Sequence, residues 1–257
     1  MADAFYLSAT DGSFDSQYAT SSAWGPGVQH GGPPAALLAR AIEASPAAEG
    51  RLIGRITVDL LGPVPVAPLT VTTSVQRSGR SVGLVEAVLT AERPVAKASA
   101  WLFPAAEAKA ADDPAGPVHG PGDGAHRSFP DTWSGGYLDA TEWRWVSGEV
   151  HEGRATAWMR PRVALVDDEP WSPVPRLLAT ADSASGVSSA LDPGEWQFLN
   201  TELTVHVLRP PVGEWLCLDA ETTLASGSVG LATSSVYDEQ GLVARTAQAL
   251  LVARRTA

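Results

Sequence analysis

Residues 55–92 read RITVDLLGPVPVAPLTVTTSVQRSGRSVGLVEAVLTAE, and residues 202–239 read ELTVHVLRPPVGEWLCLDAETTLASGSVGLATSSVYDE. The two stretches align without a gap when Thr57 is placed on Thr204, which is an offset of 147 positions. This register matches Pro63 with Pro210 and superposes two copies of SVGL, at 81–84 and 228–231. Because chance rarely preserves one register over such a length, we infer that the chain contains an internal repeat.

Each copy of the repeat is predicted to be one helix followed by several strands. The first helix is indicated by an apolar stripe with helical spacing, formed by Gly31, Ala35, Leu38 and Ile42. Pro33 and Pro34 suit its first turn, where a missing N–H costs nothing. In the second copy, RLLATADSASGVSSAL (176–191) takes the same place. The runs that follow both helices are rich in Val, Thr and Leu and are predicted to be strands.

The segment between the copies has the composition of an exposed linker. Residues 103–131 are rich in Pro, Gly, Ala and Asp, which do not supply enough apolar surface for a packed core. We therefore predict an N-terminal unit over 1–103, a flexible linker over 104–130 and a C-terminal unit over 131–257.

Composition excludes several classes of function. The chain has 257 residues, 44% of them hydrophobic, and a formal net charge of −11, so it lacks the basic field that nucleic-acid binding requires. It has no apolar run near the roughly 18 residues of a membrane span, and its N-terminus does not resemble a signal peptide. Cys217 stands alone, which excludes an internal disulfide, and no histidine spacing indicates a metal site. A cytoplasmic protein is the resulting expectation.

A helix wrapped by an antiparallel sheet, present twice in one chain, is typical of a tandem (double) hotdog fold, of class α+β. The segments HGGPPAALLARAIE (30–43), RLLATADSASG (176–186), NTELTVHVLRPP (200–211) and GLVARTAQALLV (241–252) resemble the type II, TesB-like acyl-CoA thioesterases and the wider thioesterase-like superfamily. The resemblance covers nearly the whole chain outside the linker. It implies hydrolysis of a small-molecule acyl-CoA to a free acid and CoA, in lipid metabolism, without a cofactor; a homo-oligomer stays open.

The resemblance also implies a set of catalytic residues in the second copy. The family's Asp maps to Asp182 and its Gln to Gln248. The family's hydroxyl residue has no direct counterpart, since Asn200 aligns with it and Thr201 follows. In this hypothesis Asp182 deprotonates a water, while Gln248 and either Asn200 or Thr201 hold the water or the carboxylate. Direct attack by Asp182, forming an anhydride, is the alternative.

The repeat tests this assignment independently. The first-copy counterparts of Asp182, Asn200 and Gln248 are Ala35, Ile53 and Ala100, all of them apolar. Two equivalent sites are expected in a duplicated chain, and only one of them carries the polar trio. This asymmetry predicts one active site per chain.

His30, Gly31 and Gly32 precede the first helix and form a second group of candidates. A histidine there could be a base, and free N–H groups at a helix start can bind a developing negative charge. Because the repeat places the chemistry in the second copy, we predict that these residues bind the substrate, with the glycines permitting close backbone approach.

Two other functions fit the same fold. An acyl-thioester dehydratase or hydratase needs a histidine together with an aspartate, and no histidine lies one or two turns from Asp182, which makes this interpretation weaker. A non-catalytic acyl-thioester or lipid binder is the third, because Asn200 departs from the family pattern.

Overall fold

The computed structural model describes residues 4–105, 119–129, 133–149 and 151–255. The first half contains β1 (Ala4–Ser8), β2 (Phe14–Ser16), β3 (Ser21–Ser22), β4 (Gly25–Gln29), helix α1 (Gly32–Glu43), β5 (Arg51–Leu60), β6 (Pro68–Ser78), β7 (Gly83–Thr90) and β8 (Pro94–Pro104). The second half contains α2 (Gly136–Asp139), β9 (Thr141–Ser147), β10 (Arg154–Pro161), β11 (Ala164–Val166), α3 (Pro173–Ala181), α4 (Ala184–Val187), β12 (Trp196–Asn200), β13 (Glu202–Val207), β14 (Leu216–Leu224), β15 (Val229–Asp238) and β16 (Gly241–Arg254).

One sheet runs through both halves. Its strand order is β11-β1-β2-β6-β7-β8-β5-β13-β16-β15-β14-β10-β9, and β12 pairs with β16 beside this path. All neighbours are antiparallel except β1 and β11. Helix α1 packs against β5 to β8, while α3 and α4 pack against β10 and β14. Each half is therefore an antiparallel sheet over a central helix, as the sequence predicts.

The sequence offset of 147 appears in the structure as a pseudo-twofold axis. At the junction of the halves, β5 pairs with β13 so that Thr57 stands opposite Thr204, and their hydroxyl oxygens are 3.0 Å apart. Gly32 and Ala179 are also 147 positions apart, and a Cβ added to Gly32 would lie 2.3 Å from the carbonyl oxygen of Ala179. Residues that a twofold axis relates to each other can be in contact only at that axis. The pseudo-twofold axis therefore passes between Thr57 and Thr204 and between Gly32 and Ala179.

The core is shared between the halves. A single cluster of buried apolar residues includes Leu38 and Leu89 from the first half and Leu177 and Leu218 from the second. Helices α1 and α3 contact each other at its centre. Small residues such as Gly32 and Ala179 allow this contact, because a larger side chain would separate the two helices.

The prediction of one helix over 176–191 is wrong in its detail. Helix α3 ends at Ala181, and α4 begins only at Ala184. Asp182 and Ser183 lie between them, and both side chains make hydrogen bonds to other parts of the fold. Distant side chains also donate to two backbone carbonyls that a continuous helix would use, Tyr137 to Ala179 and Gln248 to Asp182, and these bonds compete with continuation of the helix.

The predicted linker over 104–130 lies partly outside the described residues. Within it, residues 119–129 contact the second half: the His119 carbonyl accepts a hydrogen bond from Trp158 at 2.9 Å, and Ala125 forms a bridge with Trp145. The linker boundary as a whole stays a prediction. In the described part of the chain, the helices are too short or too polar to cross a membrane.

Candidate active site

Asp182 lies at the C-terminal end of α3, where it contacts Gln248 of β16. Its side chain is 4% exposed. A buried carboxylate is costly unless hydrogen-bond donors surround it, so its partners decide what it can do.

Two amide side chains donate to one side of Asp182. Asn200, the last residue of β12, donates from Nδ2 to Asp182 Oδ1 at 2.8 Å. Gln248 is completely buried in the middle of β16 and places Nε2 3.0 Å from the backbone oxygen of Asp182 and 3.4 Å from its Oδ1. Gln248 Oε1 accepts the Ser185 N–H at 3.2 Å, which fixes the amide with its nitrogen toward the carboxylate.

The structure separates the two neighbours that the sequence left as alternatives. Thr201 lies at the edge of the cavity described below, but it is exposed, and its hydroxyl donates to the Ala249 carbonyl at 3.3 Å. Asn200, in contrast, contacts Asp182 directly. No bulge brings the Thr201 hydroxyl to the carboxylate.

His30 reaches the other oxygen of Asp182 from the opposite half of the chain. Its Nδ1 lies 3.1 Å from Asp182 Oδ2, and its ring stacks on Tyr137 with 3.8 Å between centroids. No histidine lies within two turns of Asp182 in the sequence, but the fold supplies one from the other half, so this reason for ranking the dehydratase or hydratase lower does not hold. Sequence reasoning found both residues but did not bring them together.

The proton on His30 is constrained by two neighbours. Nδ1 also lies 3.1 Å from the Gly32 N–H, yet one nitrogen cannot both accept this bond and donate to Asp182. Beside an ionised carboxylate, the tautomer with a proton on Nδ1 is favoured. Burial lowers the pKa of His30 below its ordinary value, and the Asp182 charge opposes this shift.

Tyr137 supports the histidine and the break between the helices. Its hydroxyl donates to the Ala179 carbonyl at 2.7 Å and lies 2.9 Å from the Ser183 hydroxyl. Burial raises the Tyr137 pKa far above its ordinary value, so the phenol stays protonated and keeps its donor. These two hydrogen bonds hold the Tyr137 ring, which stacks on His30, in one position on α2.

The predicted close approach at Gly31 and Gly32 occurs at this site. A Cβ on Gly31 would lie 2.8 Å from both carboxylate oxygens of Asp182. Gly31 therefore leaves the space that Asp182 occupies, and Gly32 leaves the space for Ala179 at the axis. The absence of side chains at these two positions lets the start of α1 pack directly against Asp182 and Ala179 of the second half.

The Asp182 carboxylate faces a cavity of about 430 Å³. Residues of both halves line it, including Val28 and Val64 from the first and Val187 and Asn200 from the second. Six aromatic side chains form much of its wall, and we refer to them as the aromatic belt: Trp24, Phe129, Trp133, Trp143, Trp145 and Phe198.

The first-copy counterparts of the site contain no polar group. Ala35, Ile53 and Ala100 are all buried in the apolar core. His30 corresponds at the same offset to Leu177, which is also buried. The pseudo-twofold axis thus relates one polar site to one apolar region of packing.

This fold and site define a double-hotdog protein of the thioesterase-like class. Residues 20–103 match the family described as acyl-CoA thioesterase N-terminal domain, and residues 111–252 match the acyl-CoA thioesterase C-terminal domain. The chain belongs to this acyl-CoA thioesterase family, which confirms the family and the fold predicted from the sequence.

Solved structures share the fold across the whole chain. A hotdog-fold protein of unknown function from Alicyclobacillus acidocaldarius is 21% identical, with a TM-score of 0.78 and coverage of 99% of this chain and 97% of its own. A candidate thioesterase II from Thermobifida fusca is 20% identical, with a TM-score of 0.75 and coverage of 98% and 96%. The acyl-CoA thioesterase II TesB2 of Mycobacterium marinum is 15% identical, with a TM-score of 0.66 and coverage of 98% and 96%. No curated protein matches the sequence.

Proposed function

We propose that this protein hydrolyses an acyl-CoA thioester with a water molecule activated by Asp182. The observation that carries the proposal is a nearly buried carboxylate that faces the cavity with donors on both of its oxygens, from Asn200 and His30. Donors on both oxygens hold such a carboxylate in one orientation toward the cavity, which is what a general base requires.

In the proposed reaction Asp182 takes a proton from water as the water oxygen attacks the thioester carbonyl carbon. The tetrahedral intermediate then collapses, the carbon–sulfur bond breaks, and the proton passes to the departing thiolate. Direct attack by an Asp182 oxygen on the carbonyl carbon, with departure of the thiolate and hydrolysis of the resulting anhydride by water, is the alternative route at the same site.

The start of α1 would stabilise the negative charge on the carbonyl oxygen. Gly31 and Gly32 have the only backbone N–H groups between His30 and Ala35, because residues 33 and 34 are prolines. Of the two, Gly31 lies in the cavity wall beside Asp182, so its N–H would donate to the substrate carbonyl oxygen. Gly32 is buried outside the wall, and its N–H points at His30 Nδ1. In the proposal His30 positions Asp182, and Gly31 binds the carbonyl.

The contact between His30 and Asp182 also supports a second candidate, an acyl-thioester dehydratase or hydratase. Such an enzyme must place one group at Cα and another at the hydroxyl on the next carbon. Here the two groups contact each other, and Asn200 holds the second oxygen of Asp182, which favours a single acid–base unit acting on water.

Thiol release from a panel of acyl-CoAs, with Asp182→Asn as the variant, tests the proposal. We expect kcat to fall on the order of 10²–10⁴-fold, because this substitution removes the general base and keeps the side-chain volume. Asp219→Asn is the matched control, since Asp219 is a half-buried aspartate on β14 outside the cavity wall. Enoyl-CoA hydration without thiol release would favour the second candidate, and tight binding without either reaction would indicate a binding protein.

A further inference from the structure

The aromatic belt has a specific geometry. The rings of Trp24 and Phe198 meet edge to face at 5.0 Å and 88°, and those of Trp133 and Phe198 meet at 5.9 Å and 83°. Phe129 meets Trp143 in the same way at 5.1 Å and 84°. Edge-to-face contact is a preferred arrangement of aromatic rings, and three pairs of the belt adopt it, whereas Trp143 and Trp145 are nearly parallel at 6.3 Å and 14°.

The belt continues to the candidate catalytic group. Trp143 meets Tyr137 at 6.5 Å and 81°, Tyr137 stacks on His30, and His30 contacts Asp182. Tyr137 is buried behind the wall, but Asp182, His30 and the belt line the same cavity. An acyl group whose carbonyl carbon lies beside Asp182 would therefore contact aromatic side chains.

The cavity wall offers little to a charged acyl group. Among the described residues that form it, the side chains able to carry charge are Asp182 and His30, and these contact each other. Two arginines contact the belt, Arg127 over Trp145 and Arg255 over Trp24, but neither is part of the wall. The cavity is thus suited to an uncharged acyl group.

We propose that the preferred acyl group carries an aromatic ring, as in an arylacetyl thioester. A further ring in the cavity would add edge-to-face contacts to those that already exist between the belt residues. Each such contact contributes beyond the apolar area that it buries, and a saturated chain cannot make it. This inference rests on the proposed hydrolase function and names the substrate class of the same site.

Three thioesters with the same number of acyl carbons separate aromaticity from size and shape. Phenylacetyl-CoA has a flat ring, cyclohexylacetyl-CoA has a saturated ring, and octanoyl-CoA has a linear chain. We expect kcat/KM for phenylacetyl-CoA to exceed both others by a few-fold to about tenfold, the range that one aromatic contact supplies. The same comparison with N-acetylcysteamine thioesters removes the contribution of the carrier.

Single substitutions locate this preference in the belt. Trp24→Leu and Trp133→Leu each reduce the ratio of phenylacetyl to octanoyl turnover toward one, while Trp24→Phe preserves it. Trp101→Leu is the matched control, because Trp101 is also half-buried but lies on the outer face of β8, away from the cavity. Thermal unfolding of each variant verifies that its fold is retained.

The outcomes distinguish the inference from the function on which it rests. Equal or faster turnover of octanoyl-CoA or of cyclohexylacetyl-CoA overturns the aryl preference, and an unchanged ratio in both leucine variants overturns its assignment to the belt. Either result leaves the hydrolase function intact. If no thioester releases thiol, the proposed function fails. Binding of the same CoA thioesters to Asp182→Asn, measured by tryptophan fluorescence, then still tests the aryl preference, and weaker binding of phenylacetyl-CoA than of octanoyl-CoA overturns it.

Discussion

His30 Nδ1 is the atom through which the first half of the chain contacts the Asp182 carboxylate. It lies 3.1 Å from Asp182 Oδ2 and 3.1 Å from the Gly32 backbone nitrogen. A protonated Nδ1 can donate to Asp182, and an unprotonated Nδ1 can accept from Gly32. The pKa of His30 is lowered by burial, with Asp182 opposing. His30 therefore stays neutral in the folded protein at pH values where an exposed histidine starts to bind a proton.

This lowered pKa predicts how stability depends on pH. As the pH falls below 6.5, the ordinary value, the unfolded chain binds a proton at residue 30 before the folded chain does. The free energy of unfolding therefore decreases between pH 6.5 and the lower pKa of the folded state. Urea denaturation of wild type and His30→Gln across this range measures the effect. An equal pH slope for the two proteins would assign the decrease to other groups.

Asn200 and Thr201 provide a matched pair of substitutions. Asn200→Ala removes the 2.8 Å hydrogen bond to Asp182, and a bond to a charged group contributes about 1.5–3 kcal/mol. We therefore expect kcat/KM for thioester hydrolysis to fall roughly ten- to hundredfold. Thr201→Ala removes only a 3.3 Å bond to a backbone carbonyl at the surface and leaves the rate nearly unchanged. A larger loss in Thr201→Ala would reverse the assignment.

At the scale of elements, the contact between α1 and α3 controls both packing and the site. Gly31 has φ −66° and ψ −20°, which alanine adopts without strain, so a methyl group there acts only by its bulk. That methyl group would meet the Asp182 carboxylate, whereas one on Gly32 would meet the Ala179 carbonyl. A methyl group at position 31 would therefore affect the Asp182 carboxylate, and one at position 32 would affect the packing of α1 against α3.

Gly31→Ala is expected to reduce thioester hydrolysis more than stability, because it displaces the carboxylate. Gly32→Ala is expected to lower the free energy of unfolding by about 1–3 kcal/mol, because it forces the helices apart at the axis. Steady-state kinetics and chemical denaturation of both variants separate the two effects. Equal losses of activity and stability in both would contradict this division.

The sequence predicts the helices and strands better than it predicts which residues of different elements contact each other. The offset between Thr57 and Thr204 identifies equivalent strands, and the strands β5 to β8 and β12 to β16 follow it. The offset does not reveal which residues of the two copies lie at the pseudo-twofold axis. The contact of His30 with Asp182 depends on this, because it forms where α1 and α3 approach each other at the axis. The break after Ala181 is also absent from the local pattern, because it coincides with hydrogen bonds that distant residues donate to the carbonyls of Ala179 and Asp182.

At the scale of the whole molecule, the site exists only because the halves are joined. His30 and Asp182 come from different copies, and both the sheet and the apolar core continue across the junction of β5 and β13. The repeat creates two equivalent positions, and Ala35, Ile53 and Ala100 fill one of them with core packing. Neither half contains a complete site.

A shared core predicts that the two halves unfold together. Leu89 in β7 and Leu218 in β14 are fully buried at distant places in the sheet, and Leu→Ala at either costs about 2–5 kcal/mol. If the halves were independent, each substitution would lower the melting temperature of one transition and leave a second unchanged. We expect each variant instead to show one calorimetric transition at a lower temperature, with calorimetric and van't Hoff enthalpies equal. Because the site draws on both halves, thioesterase activity should disappear within that same transition, and activity that outlasts it or is lost well before it would contradict a single cooperative unit.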